Sequence, residues 1–454
     1  MKKEEYLSTL TEQIRCKMAR DPVRAEIQGH IEDQMEVFLE EGMSREEAED
    51  AAVAQMGDPV EAGGALDRIH RPRMAWGMIL LISILGVAGI LLQDVLQRQF
   101  AGEYSVVIDP GKLFVFLILS FCIMILVCFA DYSRIGACAK AITAGMFLVI
   151  MAGMAFFGGP INGTRYWIAS PLGYSFFVSV QMFTLLLVPL YGAILYTYRQ
   201  QGYRAVLKSL FWMLPGFLIA GMIPSTLIFT ILFFSYVIVL SAALWKGWFR
   251  VARKAVLPIL WGVTAALPFL ICRAVMNYAK GYRAERLKIM FLPDYAASFQ
   301  LRAVQRILES SRWLGMGAGK SEIGEVSSYT LTYTIYYYGI LAGVLLAGLI
   351  LFLFLRFFRI SLRQKNQLGM IMGVGCSAVL MVQLGLYLAC NLGIVNMPTY
   401  CPFLNYGGSG MVVSFTLYGL MLSIYRYENV LTETWAKKWK APHWRLVTKD
   451  TEAR

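Results

Sequence analysis

Cys401-Pro402-Phe403-Leu404-Asn405-Tyr406-Gly407-Gly408-Ser409-Gly410 stands at the mouth of the last long apolar run of the chain. Irregular backbone at membrane depth is tolerated only where it lines a polar cavity or is buried in protein. A glycine-rich helix-packing turn would also account for Gly-Gly-Ser taken alone. Outward from this turn the chain is strongly apolar: of 454 residues, 57% are hydrophobic and only 16% charged, with a mean hydropathy of +0.55. Apolar runs of membrane-crossing length recur near 74–95, 112–131, 138–157, 172–197, 207–223, 225–245, 255–275, 331–355, 368–391 and 409–426. The fold class read from them is all-α, a polytopic membrane protein of ten spans.

The net charge of +12 hides a division: residues 1–72 carry 9 Lys and Arg against 17 Asp and Glu, and the remainder carries 33 against 13. An acidic soluble module (1–72) therefore precedes a basic membrane domain (73–428), and a basic tail (429–454) follows it. Within the module, residues 4–19 and 23–41 have helical periodicity, and Gly42 stops the second helix. Ser44-Arg45-Glu46-Glu47 is a capping box, and Asp58-Pro59 places a cap and a first-turn proline at a further start. The first apolar run begins only near Met74, behind an acidic helical segment, so no signal peptide is expected. His30 has no second ligand at metal spacing and reads as a surface histidine. The eight cysteines form no CxxC pair, which argues for packing rather than metal binding. Cys272 and Cys401 both fall near expected outer ends, which leaves one bridge between them open.

The short loops set the orientation. Arg134/Lys140, Arg199/Arg204/Lys208, Lys246/Arg250/Arg253/Lys254 and Arg356/Arg359/Arg363/Lys365 fall on the side shared by both termini, and the alternate short loops carry almost none. The positive-inside rule then places both termini in the cytoplasm. Basic residues concentrated in short loops also argue against a nucleic-acid partner. The long loop at about 276–330 is outer, and long loops escape that rule, so its eight Lys and Arg, with Arg273 at its edge, need another cause. A pyrophosphate held by forked arginine hydrogen bonds is one; adhesion to anionic membrane lipids is the other.

The quoted turn closely resembles the Leu-Pro-Phe-(Ile/Leu)-Ser-Tyr-Gly-Gly-Ser-Ser signature of the FtsW/RodA/SpoVE (SEDS) family of bacterial cell-wall polymerases. Asn162-Gly163-Thr164-Arg165-Tyr166-Trp167-Ile168 is similar to that family's Asn-Gly-Ala-Arg-Arg-Trp-Ile before the fourth span. Tyr282-Arg283-Ala284-Glu285-Arg286-Leu287, Phe291-Leu292-Pro293-Asp294 and Leu314-Gly315-Met316-Gly317-Ala318-Gly319 resemble its outer-loop motifs. The ten-span layout with a long loop between spans seven and eight is likewise the family's. In the module, Tyr6, Leu7, Leu10, then His30-Ile31-Glu32-Asp33, Gly42-Met43-Ser44 and Gly57-Asp58-Pro59 resemble a permease-prefix (HAAS-type) domain. Either a regulatory, partner-docking role or a solubilising cap follows from that.

The resemblance implies a protein of the bacterial plasma membrane that acts on lipid II, the undecaprenyl-pyrophosphate-linked disaccharide peptide. The implied activity is peptidoglycan glycosyl transfer in division, elongation or sporulation, with a class B penicillin-binding protein as partner. It also implies basic residues or a divalent cation at the leaving pyrophosphate. Carried over residue by residue, the substrate-binding set is Arg286, Arg165, Trp167, Asn405, Tyr406, Gly407, Gly408 and Ser409.

The departures bear on catalysis. The family's catalytic aspartate falls on Ser328, within Ser327-Ser328-Tyr329-Thr330, and its following glutamate pair is Tyr336-Tyr337. Its Pro-Ser-Glu reads Val178-Ser179-Val180, and its Gln-Pro-Asp reads Ile223-Pro224-Ser225. A serine hydroxyl is no general base at neutral pH without an activating group. Glu325 and Glu322 are the nearby carboxylates, and Glu325 reads either as a substitute base or as a solvated loop acid. The alternative function is thus a non-catalytic paralogue that binds lipid-linked precursor or scaffolds a cell-wall complex. A lipid flippase has less support, because the spans hold few acids or bases.

Overall fold

The computed structural model describes residues 1–100, 109–161, 164–169, 177–223, 225–278, 299–318, 326–405, 407–428 and 430. They form two units. The first holds Met1–Met74, Lys365–Gln367 and the described residues from Arg426 on; the second holds Ala75–Gln364 and Leu368–Tyr425.

In the first unit α1 (Lys3–Glu12), α2 (Lys17–Glu40), α3 (Arg45–Gln55) and α4 (Pro59–Ile69) pack as a small bundle. Tyr6, Leu7, Leu10, Ile14, Ile31, Ala48 and Ala52 are buried in it. Both start signals act as read. Ser44 and Glu47 exchange the two hydrogen bonds of a capping box, and Asp58 accepts from the Val60 and Glu61 amides. The first helix, expected over 4–19, stops instead at Glu12. The chain bends there because buried Asp67 accepts the Arg15 amide at 2.9 Å and the Ile14 carbonyl accepts from Arg20 Nε at 2.8 Å. Pro22 consequently lies inside α2, in its second turn, where it removes one helical backbone bond.

The second unit begins with α5 (Trp76–Phe100), α6 (Pro110–Phe129), α7 (Tyr132–Ala137) and α8 (Ala139–Ala152), the last prolonged by a π turn to Phe157. Three strands follow, β1 (Gly158–Ile161), β2 (Thr164–Ala169) and β3 (Phe177–Ser179), in an antiparallel sheet of order β1-β2-β3. Next come α9 (Val180–Phe183), α10 (Leu187–Thr197), α11 (Tyr203–Phe211), α12 (Leu214–Met222), α13 (Thr226–Trp245) and α14 (Arg253–Tyr278). The series ends with α15 (Phe299–Glu309), α16 (Thr330–Tyr338), α17 (Ile340–Arg363), α18 (Gln367–Asn391) and α19 (Gly408–Arg426). Nine helical stretches among the described residues are long and apolar enough to cross a membrane, and α14 occupies the remaining expected span.

The all-α expectation holds for the spans, and the small sheet is an addition that no clear alternation announced. Its pairing explains why the fourth span starts at Val180 rather than 172: Trp167, Ile168 and Ala169 pair with Ser179, Val178 and Phe177. The fifth span breaks between α11 and α12, where Pro215 lies in the first turn of α12 and cannot donate back. α18 and α19 are the central helices, with 72% of their spanning windows buried against 17% in the third span. α10 lies close on α18: a Cβ on Gly192 would sit 2.9 Å from the Ile371 carbonyl oxygen, and one on Gly375 2.9 Å from Pro189 Cα. Such small-residue seams let membrane helices pack where hydrophobicity supplies no drive.

Candidate functional site

The turn before α19 is built by its own polar groups. Asn405 Oδ1 accepts the Cys401 amide at 3.2 Å, and its Nδ2 donates to the Thr399 carbonyl at 3.1 Å. Asn405 is buried, so its amide braces the turn. Phe403 takes a positive φ of 74°, and its carbonyl lies against α5, where a Cβ on Gly89 would collide with it. One turn further along α5, Gln93 Nε2 donates to the Leu404 carbonyl at 2.6 Å. Cys401 is a buried free thiol, so no bridge ties it to Cys272.

Beyond the turn, Ser409 Oγ accepts the Ser179 amide at 2.9 Å. Ser179 ends β3 and pairs in register with Trp167 of β2, the strand that also carries Arg165. Two motifs well over two hundred residues apart in sequence are thereby joined through one hydrogen bond and one strand pair. Gln93 Oε1 and Ser179 Oγ, both buried beside this junction, have no partner among the described residues. Buried oxygens in that condition are costly unless a ligand or water satisfies them.

Ser328 sits in the turn that leads into α16. Asn391, near the end of α18, organises it. Its Nδ2 donates to the Ser328 carbonyl at 3.2 Å and the Tyr387 carbonyl at 3.1 Å, and its Oδ1 accepts from the Thr332 amide at 3.1 Å and hydroxyl at 3.0 Å. The Tyr387 hydroxyl accepts the Leu331 amide at 3.1 Å. Below the turn, Tyr329, Tyr333 and Tyr336 pack with Val304 and Ile307 of α15 and with Leu96 of α5. Gln93 and Leu96 lie three residues apart, hence on one face of α5. That face holds the Leu404 carbonyl with one residue and the tyrosines with the other, which brings both turns to one end of the bundle.

The part of the glycine turn described, 314–318, has a structural task here. The Gly315 amide donates to the Tyr338 carbonyl at 3.2 Å and the Gly317 amide to the Tyr336 carbonyl at 2.8 Å, while the Leu341 amide returns a bond to the Trp313 carbonyl at 3.3 Å. Gly339, between α16 and α17, takes φ of 102°, and a Cβ there would meet the Trp313 carbonyl oxygen at 2.6 Å. The expected eighth span is therefore two helices, α16 set apart from the crossing helix α17.

Of the residues expected at the site, Ser328, Asn405, Gly407, Gly408 and Ser409 fall here, and the backbone of Arg165 and Trp167 runs beside Ser179. Arg286, Glu325 and Tyr406 lie outside the described residues. Gln93, Asn391, Thr332 and Tyr387 were not singled out from sequence. A polar amide inside an apolar run was the available signal, since such groups must find partners in a membrane. Among the described residues no group of three His, Cys, Asp or Glu could hold a metal ion.

A multi-pass helical membrane protein with a polar re-entrant turn, a short sheet and an extra helix gathered at one end is the class defined here. Residues 72–430 match the FtsW/RodA/SpoVE family of cell cycle proteins, and the chain belongs to that family. A probable peptidoglycan glycosyltransferase FtsW of Nitrosomonas europaea is 24% identical over 311 residues, covering 63% of this chain and 74% of the relative. One of the same description from Enterococcus hirae is 24% identical over 379 residues, covering 77% and 90%. A solved chain from a peptidoglycan synthase complex superposes with a TM-score of 0.61 at 20% identity, covering 78% of this chain and 98% of that one. The rod shape determining protein RodA of Thermus thermophilus gives 0.55 at 17% identity, over 78% and 97%. These structures share the fold.

Proposed function

We propose that this protein acts on lipid II as a peptidoglycan glycosyltransferase at the outer face of a bacterial plasma membrane, with both termini cytoplasmic. The observation that carries the proposal is the Ser179–Ser409 bond, which seats the strand bearing Arg165 and Trp167 against the glycine turn. The names of the relatives support the reaction class. A base removes the proton of the acceptor sugar hydroxyl, that oxygen attacks the anomeric carbon of the growing chain, and the lipid pyrophosphate departs with the bonding pair. Arg165 and Arg286 hold the pyrophosphate, Trp167 and the turn 405–409 border the substrate, and Glu325 supplies the base. A class B penicillin-binding protein is the partner this reading implies, and the first unit is a permease-prefix domain that regulates or docks.

Ser328 favours a second reading, in which the chain binds precursor without polymerising it. Its backbone is held by Asn391, and a hydroxyl stands where the family has a carboxylate. Lipid II polymerisation by the purified protein, with and without a penicillin-binding partner, separates the two. The first reading expects wild-type turnover that Glu325→Gln abolishes while lipid binding survives. An inactive wild type that Ser328→Asp revives supports the second. Robust turnover indifferent to Glu325 removes both the Glu325 base and the non-polymerising reading.

A further inference from the structure

The first unit contains a cleft of about 350 Å³ lined by Arg15, Lys17, Asp67, Arg71, Arg426 and Tyr427. Its charge is opposite to that of its carrier. The module as a whole has nearly twice as many acids as bases, yet four cations line this cleft with one acid.

Three cations elsewhere in the module are engaged locally. Lys3 pairs with Glu32 at 2.6 Å, Arg24 pairs with Glu4, and Arg20 Nε donates to the Ile14 carbonyl. In the cleft, Asp67 is buried and already bound by two of the arginines. It accepts the Arg15 amide at 2.9 Å and Arg71 Nη2 at 2.9 Å, with Arg15 Nε at 3.9 Å. Its single negative charge faces four cations, so the cleft keeps a net positive charge. The Arg15 side chain is 80% exposed, and Lys17 is exposed and makes no ion pair among the described residues.

Chain connectivity places the cleft. Arg71 shortly precedes Trp76, where the first apolar helix begins, and Arg426 ends the last one. The Arg73 amide donates to the Arg426 carbonyl at 3.2 Å, closing the cleft wall between the two crossings. Cations held together beside two crossing points, with a tyrosine in the wall, match an interfacial phosphate.

We propose that this cleft binds the phosphodiester headgroup of an anionic phospholipid in the leaflet on the module's side, holding the acidic module to the membrane surface. The acids of the module are repelled by that surface, so the cleft supplies the attraction that sets which face approaches it.

The test uses the full-length protein in detergent, with phosphatidylglycerol and phosphatidylcholine added in parallel and retained lipid read by native mass spectrometry. Hydrogen exchange of residues 14–20 and 66–73 reports where binding occurs. Wild type is expected to retain phosphatidylglycerol preferentially and to show protection in both segments. Arg15→Gln with Lys17→Gln should weaken retention by about fivefold per residue, whereas Arg15→Lys with Lys17→Arg should keep it. Both pairs spare Asp67 and Arg71, and an unchanged melting curve confirms folding. Phosphatidylglycerol retention that ignores the glutamine pair overturns the proposal. Protection by millimolar inorganic phosphate but not by phosphatidylglycerol also overturns it, assigning the cleft to a soluble phosphate.

Discussion

Asn391 spends its side-chain amide on the segment that carries Ser328: Nδ2 reaches the Ser328 and Tyr387 carbonyls, and Oδ1 takes both donors of Thr332. Replacement by leucine would take that partner from the Ser328 carbonyl and the Thr332 amide, each at about 1–3 kcal/mol, while the Thr332 hydroxyl keeps the Asn391 backbone carbonyl at 2.9 Å. Asn391→Leu is therefore expected to lower the melting temperature in detergent and to reduce lipid II binding through a displaced turn. An unchanged melt would show that water readily replaces the amide. Arg286 and Arg165 call for a different measurement, since the part proposed for them is holding ligand charge. Arg286→Ala and Arg165→Ala should each weaken lipid II binding by about 1–3 kcal/mol without altering the melt. At this scale the sequence was legible where a motif existed, as at Asn405 and Ser409. It was silent at Gln93 and Asn391, whose value lies in partners hundreds or tens of residues away, set only by packing.

Among the elements, the break at Gly339 and the junction at Asp67 show opposite relations between sequence and structure. Apolarity runs unbroken enough through 331–355 to read as one span, and only the φ of 102° at Gly339, with the Trp313 carbonyl pressed against it, divides α16 from α17. Periodicity does not register a single left-handed residue. Gly339→Val should accordingly loosen the clasp between 312–317 and 336–341, raising hydrogen exchange in both segments together. Faster exchange confined to α17 would contradict the clasp. At Asp67 the misplaced helix end arose because a tertiary acceptor overrode local propensity. The Arg15 amide, foremost, and the Arg71 guanidinium hold the Asp67 carboxyl below its ordinary range despite burial. A depressed folded value means stability that is complete above about pH 4, the unfolded value, and lost as pH falls through the folded one. Asp67→Asn should thus destabilise residues 1–74 at pH 7 by about 1–2 kcal/mol, Arg71 being half exposed. The difference from wild type should shrink below pH 4, measured by hydrogen exchange of the module.

For the whole molecule, the alternation of basic short loops predicts that they gather at one end of the bundle. Lys140, in the first turn of α8, and Lys208 of α11 both lie over the Tyr198 ring, at 4.4 and 5.5 Å, and Arg199 lies 3.8 Å over Tyr196. The loops after α6 and α10 therefore meet at one end. The turns at 326–329 and 401–405 meet at the C-terminal end of α5, and each crossing reverses the chain. Hydropathy alone made the crossings countable, because a bilayer demands long apolar helices. It could not show that α15 and α16 stay at one end, since α15 carries an amphipathic pattern that a surface helix of any protein would share. If the charge rule governs orientation, that end faces outward. In a variant without the eight native cysteines, an impermeant thiol reagent applied to intact cells should modify Glu309→Cys and not Arg363→Cys, both exposed positions. Permeabilised cells should show both labelled, which excludes burial as the reason for protection. Labelling of Arg363→Cys alone in intact cells would invert the molecule, carrying the 328 and 405 turns to the cytoplasm and away from any substrate presented outside.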